Sequence, residues 1–148
     1  MATTAAIIGL GIMGRRMLEN MEVHPDFQTV ALWDPDPQAC QTALELAPNA
    51  HIAASPEDAI AAADLIYLAC PPEPRKAYAL TAAAAGKAVF LEKPLGVDVA
   101  ESEALVAALT QSGVPAAVNF TQAAGAAMTG VTEAARSGAM GEIIGADI

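Results

Sequence analysis

Six apolar runs of strand length, each followed by a stretch of helical period, constrain this chain more than any single motif does. The runs are Ala5–Leu10, Thr29–Trp33, His51–Ala53, Leu65–Ala69, Ala88–Leu91 and Ala116–Phe120, and the helices begin near Ile12, Pro37, Pro56, Glu73, Asp98 and Gln122. Strands apolar on both faces and separated by helices belong to a parallel sheet covered on both sides, so the pattern predicts a doubly wound α/β fold. Boundary residues agree with it. Ser55-Pro56-Glu57-Asp58 places a capping serine before a proline at the first helical position, with acids in the first turn. Asp98 and Glu101 have the spacing of a capping box, and Gly86 and Gly113 stand where helices stop.

A length of 148 residues suits one well-buried domain and is short for two. Alanine dominates the 54% of apolar residues and aromatics make up 4%, which favours helices packed closely on a sheet. The formal charge of −10, with seven scattered basic residues, argues against a nucleic-acid partner. No apolar run approaches the roughly 20 residues that span a bilayer, and the chain opens directly on a strand, so a cytosolic protein is expected. Cys40 and Cys70 have no metal-type spacing and are read as reduced thiols.

The first run feeds straight into Gly9-Leu10-Gly11-Ile12-Met13-Gly14, which opens a helix. In a dinucleotide fold Gly9 permits the tight turn, Gly11 lets the backbone approach a pyrophosphate, and Gly14 lets helix and strand pack closely. The phosphates then rest on the free N–H groups at Ile12 and Met13 and on the positive helix end. The second run ends in Asp34, about 20 residues further on, where an acid accepts hydrogen bonds from the adenosine ribose and repels a 2′-phosphate. NAD is therefore expected over NADP. The alternative for Asp34-Pro35-Asp36-Pro37 is a turn and helix cap. Cys70 and Pro71 end the fourth run at the same sheet edge and are candidate crevice residues, although ordinary strand termination explains the prolines equally well.

The fifth run closes on Glu92-Lys93-Pro94. Oxidising an alcohol by hydride transfer needs a group that shares the hydroxyl proton and holds the carbon against the nicotinamide. Lys93 emerges beside the glycine turn and is the candidate catalytic residue, with Glu92 and Lys93 also candidate cofactor contacts. A neighbouring NAD⁺ and partial burial would lower the lysine's proton affinity. The alternative is a lysine paired with Glu92 and left in water. Pro94 fixes the following turn, and an X-Pro bond is free to be cis.

These residues resemble the Gfo/Idh/MocA family of oxidoreductases, named for glucose-fructose oxidoreductase and inositol dehydrogenase. The likeness runs through GLGIMG at 9–14, the acid at 34, the proline at 71, Ala85-Gly86-Lys87, EKPLG at 92–96 and Gly138-Ala139-Met140-Gly141. It implies an NAD(P)-binding Rossmann domain over 1–120, then a connecting helix and the first strand of a second α/β domain over 121–148. That strand would start near Gly141, and an apolar terminal strand with nothing after it would otherwise be an exposed edge, so a cut chain or a covering partner is expected. The resemblance further implies a sugar, cyclitol or related polyol substrate, no metal, substrate and homo-oligomer contacts in the second domain, and a histidine partner for Lys93 beyond Ile148. This chain alone is then expected to hold cofactor without turnover. Arg75 stands where members often have a histidine, and Ala123 and Ala126 where an arginine and a proline are common. His24 and His51 match no catalytic position.

Two rivals remain. Ile8 to Arg15 is also similar to the start of a β-hydroxyacid dehydrogenase of the 3-hydroxyisobutyrate type, although EKP stands where that family carries a serine-threonine element. A module that senses NAD without catalysis, or assembles through its tail edge, is the reading from a different class.

Overall fold

The computed structural model describes residues 1–142, 144 and 145. Strands and helices alternate: β1 (Thr3–Ile8), α1 (Ile12–Val23), β2 (Phe27–Trp33), α2 (Pro37–Leu46), β3 (His51–Ile52), α3 (Pro56–Ala62), β4 (Leu65–Leu68), α4 (Pro72–Ala84), β5 (Ala88–Glu92), α5 (Val99–Ser112), β6 (Ala116–Asn119) and α6 (Ala126–Arg136). The strands form one parallel sheet in the order β3-β2-β1-β4-β5-β6. This is the doubly wound α/β arrangement.

Alternation along β1 divides the core. Ala5 and Ile7 pack with Leu18, Met21, Cys40 and Ala43 of α1 and α2, whereas Ala6 and Ile8 pack with residues of α3, α4 and α5, among them Ile60, Ala79 and Leu105. Successive strand side chains point to opposite faces, so each face takes its own helices. Ala43, Ala59, Ala79 and Ala82 are fully buried. With nothing beyond Cβ, they let helix backbones lie close to the sheet.

The caps behave as local chemistry dictates. Ser55 Oγ accepts the Asp58 N–H at 3.0 Å, Asp36 accepts that of Gln38 at 2.9 Å, and Asp98 accepts that of Glu101 at 3.0 Å. The reciprocal arm of a box at Asp98 is absent, because the Glu101 carboxylate faces Lys76 Nζ at 3.6 Å. Gly86 and Gly113 take φ of +71° and +72° at the ends of α4 and α5, where a side chain would be strained.

Several strand ends lie one or two residues from the sequence pattern, and three boundary differences have a visible cause. β1 stops at Ile8, since the Leu10 N–H leaves the ladder to meet Asp34. β5 runs on to Glu92, paired with Asn119. The last helix starts at Ala126 and not near Gln122, because the N–H groups of Ala123 and Ala124 turn back to the Phe120 carbonyl and that of Gly125 to Gln122. α6 buries none of its residues, and Phe120, Met128 and Val131 lie exposed. Of the strand expected from Gly141, residues 141, 142, 144 and 145 are not in strand conformation, while Ile143 and 146–148 lie outside the described residues. Among the described residues no helix is long and apolar enough to cross a membrane.

Candidate functional site

β1 and β4 are neighbours in the sheet, but the chain leaves them toward opposite faces, to α1 and to α4. The divergence opens a crevice at the carboxyl ends of the strands, the place where open α/β sheets bind ligands. A cavity of about 700 Å³ fills it. The glycine turn contributes Gly9, Gly11 and Met13, the end of β2 contributes Trp33 and Asp34, and β4 contributes Cys70 and Pro71. The end of β5 contributes Glu92, Lys93 and Pro94. Four chain segments far apart in sequence thus meet. Ile12 and Gly14 do not line this cavity: the Ile12 side chain is exposed, and Gly14 is buried behind the turn.

Three glycines solve three different steric problems. Gly9 has φ +94°, and a Cβ there would lie 2.4 Å from the Cys70 backbone nitrogen. A Cβ on Gly14 would lie 1.9 Å from the Gly9 carbonyl oxygen. A Cβ on Gly11 would meet nothing within 4 Å, so this residue opens onto the crevice. No side chain caps the start of α1, and no acid occupies its first turn. The free N–H groups and positive helix end fit a pyrophosphate resting against Gly11.

Asp34 joins β2 to that turn. Its Oδ2 accepts the Leu10 N–H at 2.7 Å and its Oδ1 accepts the Asp36 N–H at 2.9 Å. Asp34 is therefore a turn residue and a rim residue at once, while Asp36 is the helix cap. Arg15 donates from Nη1 to the Leu10 carbonyl at 2.7 Å, holding the loop from its other side. Trp33 meets Tyr78 edge to face, with centroids 6.0 Å apart, and both line the crevice. Cys40 and Cys70 are free thiols. Burial pushes both thiols up, opposed at Cys70 by the charge of Arg75.

Behind the lysine lies a buried polar cluster. Glu92, 3% exposed, accepts at Oε1 from the Tyr67 hydroxyl and from Asn119 Nδ2 at 2.6 Å, and at Oε2 from the Lys93 N–H at 3.3 Å. Burial and this bond to Glu92 push the Tyr67 phenol well above its ordinary range, so it stays a donor. Glu92→Ala would strand the buried Tyr67 hydroxyl without its acceptor and leave the half-buried Asn119 amide only its long 3.4 Å bond to that hydroxyl. A loss of about 2–4 kcal/mol in urea-measured stability is expected. Tyr67→Phe, which leaves Glu92 its other two donors, should cost less than half as much.

Lys93 itself is exposed, not partly buried, because the chain turns outward at the sheet edge. Its ammonium forms no ion pair with Glu92 among the described residues, since that carboxylate is occupied within. The Lys93–Pro94 bond is cis. A second cavity of about 650 Å³, lined by Arg16, Asn119, Phe120, Gln122 and Met128, shares Met13 and Lys93 with the first. Lys93 thus stands on the wall between two cavities.

Residues 3–120 match the Gfo/Idh/MocA oxidoreductase family, which has an NAD-binding Rossmann fold. The chain belongs to this family. Inositol 2-dehydrogenase of Burkholderia multivorans is 37% identical to it over 101 residues, 66% of this chain and 30% of that protein. The chain spans about a third of the length of the curated relatives it matches, 32% and 30%. Among solved structures, the WlbA dehydrogenase from Bordetella pertussis, in complex with NADH and UDP-GlcNAcA, superposes with a TM-score of 0.87 at 25% identity over 97% of this chain and 44% of that one. Scyllo-inositol dehydrogenase from Lactobacillus casei, with bound NAD(H) and scyllo-inositol, gives 0.89 at 20% identity over 97% and 43%, a likeness of fold. In this Gfo/Idh/MocA domain the sequence pattern had not singled out Tyr67, Asn119 or Tyr78, nor the structural part played by Arg75. One signal was available, since a tyrosine in a buried strand must find a partner for its hydroxyl.

Proposed function

We propose that this chain is the nucleotide-binding domain of an oxidoreductase that moves a hydride between nicotinamide and a sugar, cyclitol or related polyol, with NAD preferred over NADP. The observation that carries this reading is Lys93, standing between the cofactor crevice and a second cavity of substrate size. NAD, when bound, supplies the hydride acceptor. The N–H groups of Ile12 and Met13 and the positive end of α1 hold the pyrophosphate beside Gly11. Each Asp34 oxygen keeps a lone pair beyond the N–H it already accepts, and these take the adenosine ribose hydroxyls. Cys70 and Pro71 form the floor, with Glu92 fixing the lysine backbone from within. Lys93 Nζ, as the free amine, would hold the substrate hydroxyl and take its proton, becoming an ammonium, as the carbon gives up hydride to the nicotinamide.

A second domain over the exposed Phe120, Met128 and Val131 would supply the polyol contacts, the partner of Lys93 and any contact between copies. The division falls near residue 120, and the protein works in the cytosol. Kinship with an inositol dehydrogenase supports the substrate class.

The test is a titration of this chain with NADH and NADPH, followed by quenching of its single tryptophan, Trp33. NADH should bind at least about tenfold more tightly, since an acid facing a 2′-phosphate is unfavourable by about 1.4 kcal/mol or more. Asp34→Ala would remove the Leu10 anchor along with the charge. Asp34→Asn keeps an acceptor for Leu10, and should narrow the preference to within about threefold while the fold stays intact. Absence of binding by either nucleotide, with calorimetry in agreement, would remove the main support for the reading.

A further inference from the structure

We propose that Arg75 is a positioning residue that locks the Lys93 turn to the floor of the crevice, an inference that rests on the cofactor reading above. Arg75 lies in the first turns of α4 and is 3% exposed. Its guanidinium donates to three backbone carbonyls. Nε and Nη2 reach Cys70 at 3.2 and 2.5 Å, and Nη1 reaches both Glu92 and Pro94. The β4–β5 ladder ends at Leu68 and Leu91, so all three carbonyls lie just beyond its last pair, although Glu92 still pairs with Asn119 on the β6 side. Between these two strand ends the ladder has stopped, and one side chain bridges them.

The two carbonyls gripped by Nη1 flank Lys93. From the opposite side Glu92 Oε2 accepts the Lys93 N–H at 3.3 Å. The lysine backbone is thus held before, at and after its α-carbon, and the same guanidinium ties it to the Cys70 end of the neighbouring strand. Among the described residues no carboxylate lies within ion-pair distance of Arg75. A buried cation without an ion-pair partner is unfavourable for stability. What it secures here is geometry: a planar fork spreads five donors over three nitrogens and reaches carbonyls on two separate segments, whereas an ammonium directs its three donors from one nitrogen and an imidazole has at most two. Arg75 acts through the turn and not by touching substrate.

The experiment compares NADH with ADP as ligands of the 148-residue chain. ADP carries the adenosine and the phosphates but stops short of the Lys93 turn. Arg75→Met and Arg75→Lys should each weaken NADH about tenfold while the Kd for ADP stays within about twofold. A loss shared by the charged lysine variant assigns the effect to the fork and not to the charge. Equal losses for NADH and ADP would make Arg75 a general support of the fold, and unchanged affinity for both would leave it without this role; either result overturns the proposal. If circular dichroism shows Arg75→Met unfolded, the lysine variant alone decides between these outcomes. An unaltered chain that binds ADP and not NADH would show that the Lys93 turn holds no nicotinamide, and overturns the proposal alone. One that binds neither overturns the cofactor reading first.

Discussion

Lys93→Met is expected to lower kcat by about a thousandfold in the protein that joins this chain to its substrate domain, the scale of losing a positioned acid–base group. The Kd for NADH should stay within about threefold, and stability within about 0.5 kcal/mol, because the side chain is exposed and its ammonium makes no ion pair among the described residues. The separation matters. Several residues of the crevice, Cys70, Arg75 and Glu92 among them, are buried, so their loss mixes folding with chemistry, whereas Lys93 can be removed at its tip alone. Arg in place of Lys should not restore the rate, since a guanidinium is larger, fixed in charge and unable to give up its proton. Kinetics on purified variants with a polyol substrate would check this. A variant with unchanged kcat would leave a domain that binds nucleotide while another group does the chemistry.

Gly14→Ala is expected to destabilise the fold by about 3–5 kcal/mol, near the upper end for single substitutions. The added methyl would sit 1.9 Å from the Gly9 carbonyl oxygen and 2.9 Å from the Gly9 carbonyl carbon, and both atoms are backbone. Gly9 cannot easily yield, because it is itself wedged against Cys70 and held by the Trp33 carbonyl at 2.9 Å. Gly11→Ala is the control. Its φ of −66° suits any residue and its Cβ meets no atom within 4 Å, so the melting temperature should hold to within about 2 °C. Yet that methyl enters the space where the pyrophosphate would lie, and NADH affinity should fall by at least about tenfold. Urea denaturation and nucleotide titration of the pair separate a packing glycine from a binding glycine. If both variants lost stability alike, the distinction between them would be wrong.

How much was legible in the residues follows from the range of the forces involved. The glycine run, the capping residues Ser55, Asp36 and Asp98, and the positive φ at Gly86 and Gly113 act over four residues or fewer, so their signatures are contiguous in sequence. The unbroken apolar run of β1 is likewise local, and runs of this kind between helical stretches correctly assigned helices to both faces. The start of α6 was harder to read. The stretch from Thr121 to Gly125 has no proline to stop a helix, and only the return of two N–H groups to Phe120 shows a turn. Lys93 was expected to be partly buried, and its exposure depends on where the sheet edge falls relative to the turn.

Sequence by itself determined the fold class, the family, the glycine turn with Asp34 at its rim, and the lysine beside it. Each depends on a short run of residues or on an offset along one chain direction. Tertiary structure alone decided that Asp34 anchors Leu10, that Tyr67 and Asn119 converge on Glu92, and that Arg75 grips the carbonyls on either side of Lys93. Those contacts join residues 17 to 27 positions apart, across parallel strands whose register no local pattern encodes. Parallel neighbours are brought together by crossover helices, and so the partners of a strand end are set by the order of strands in the sheet and not by their order in the chain.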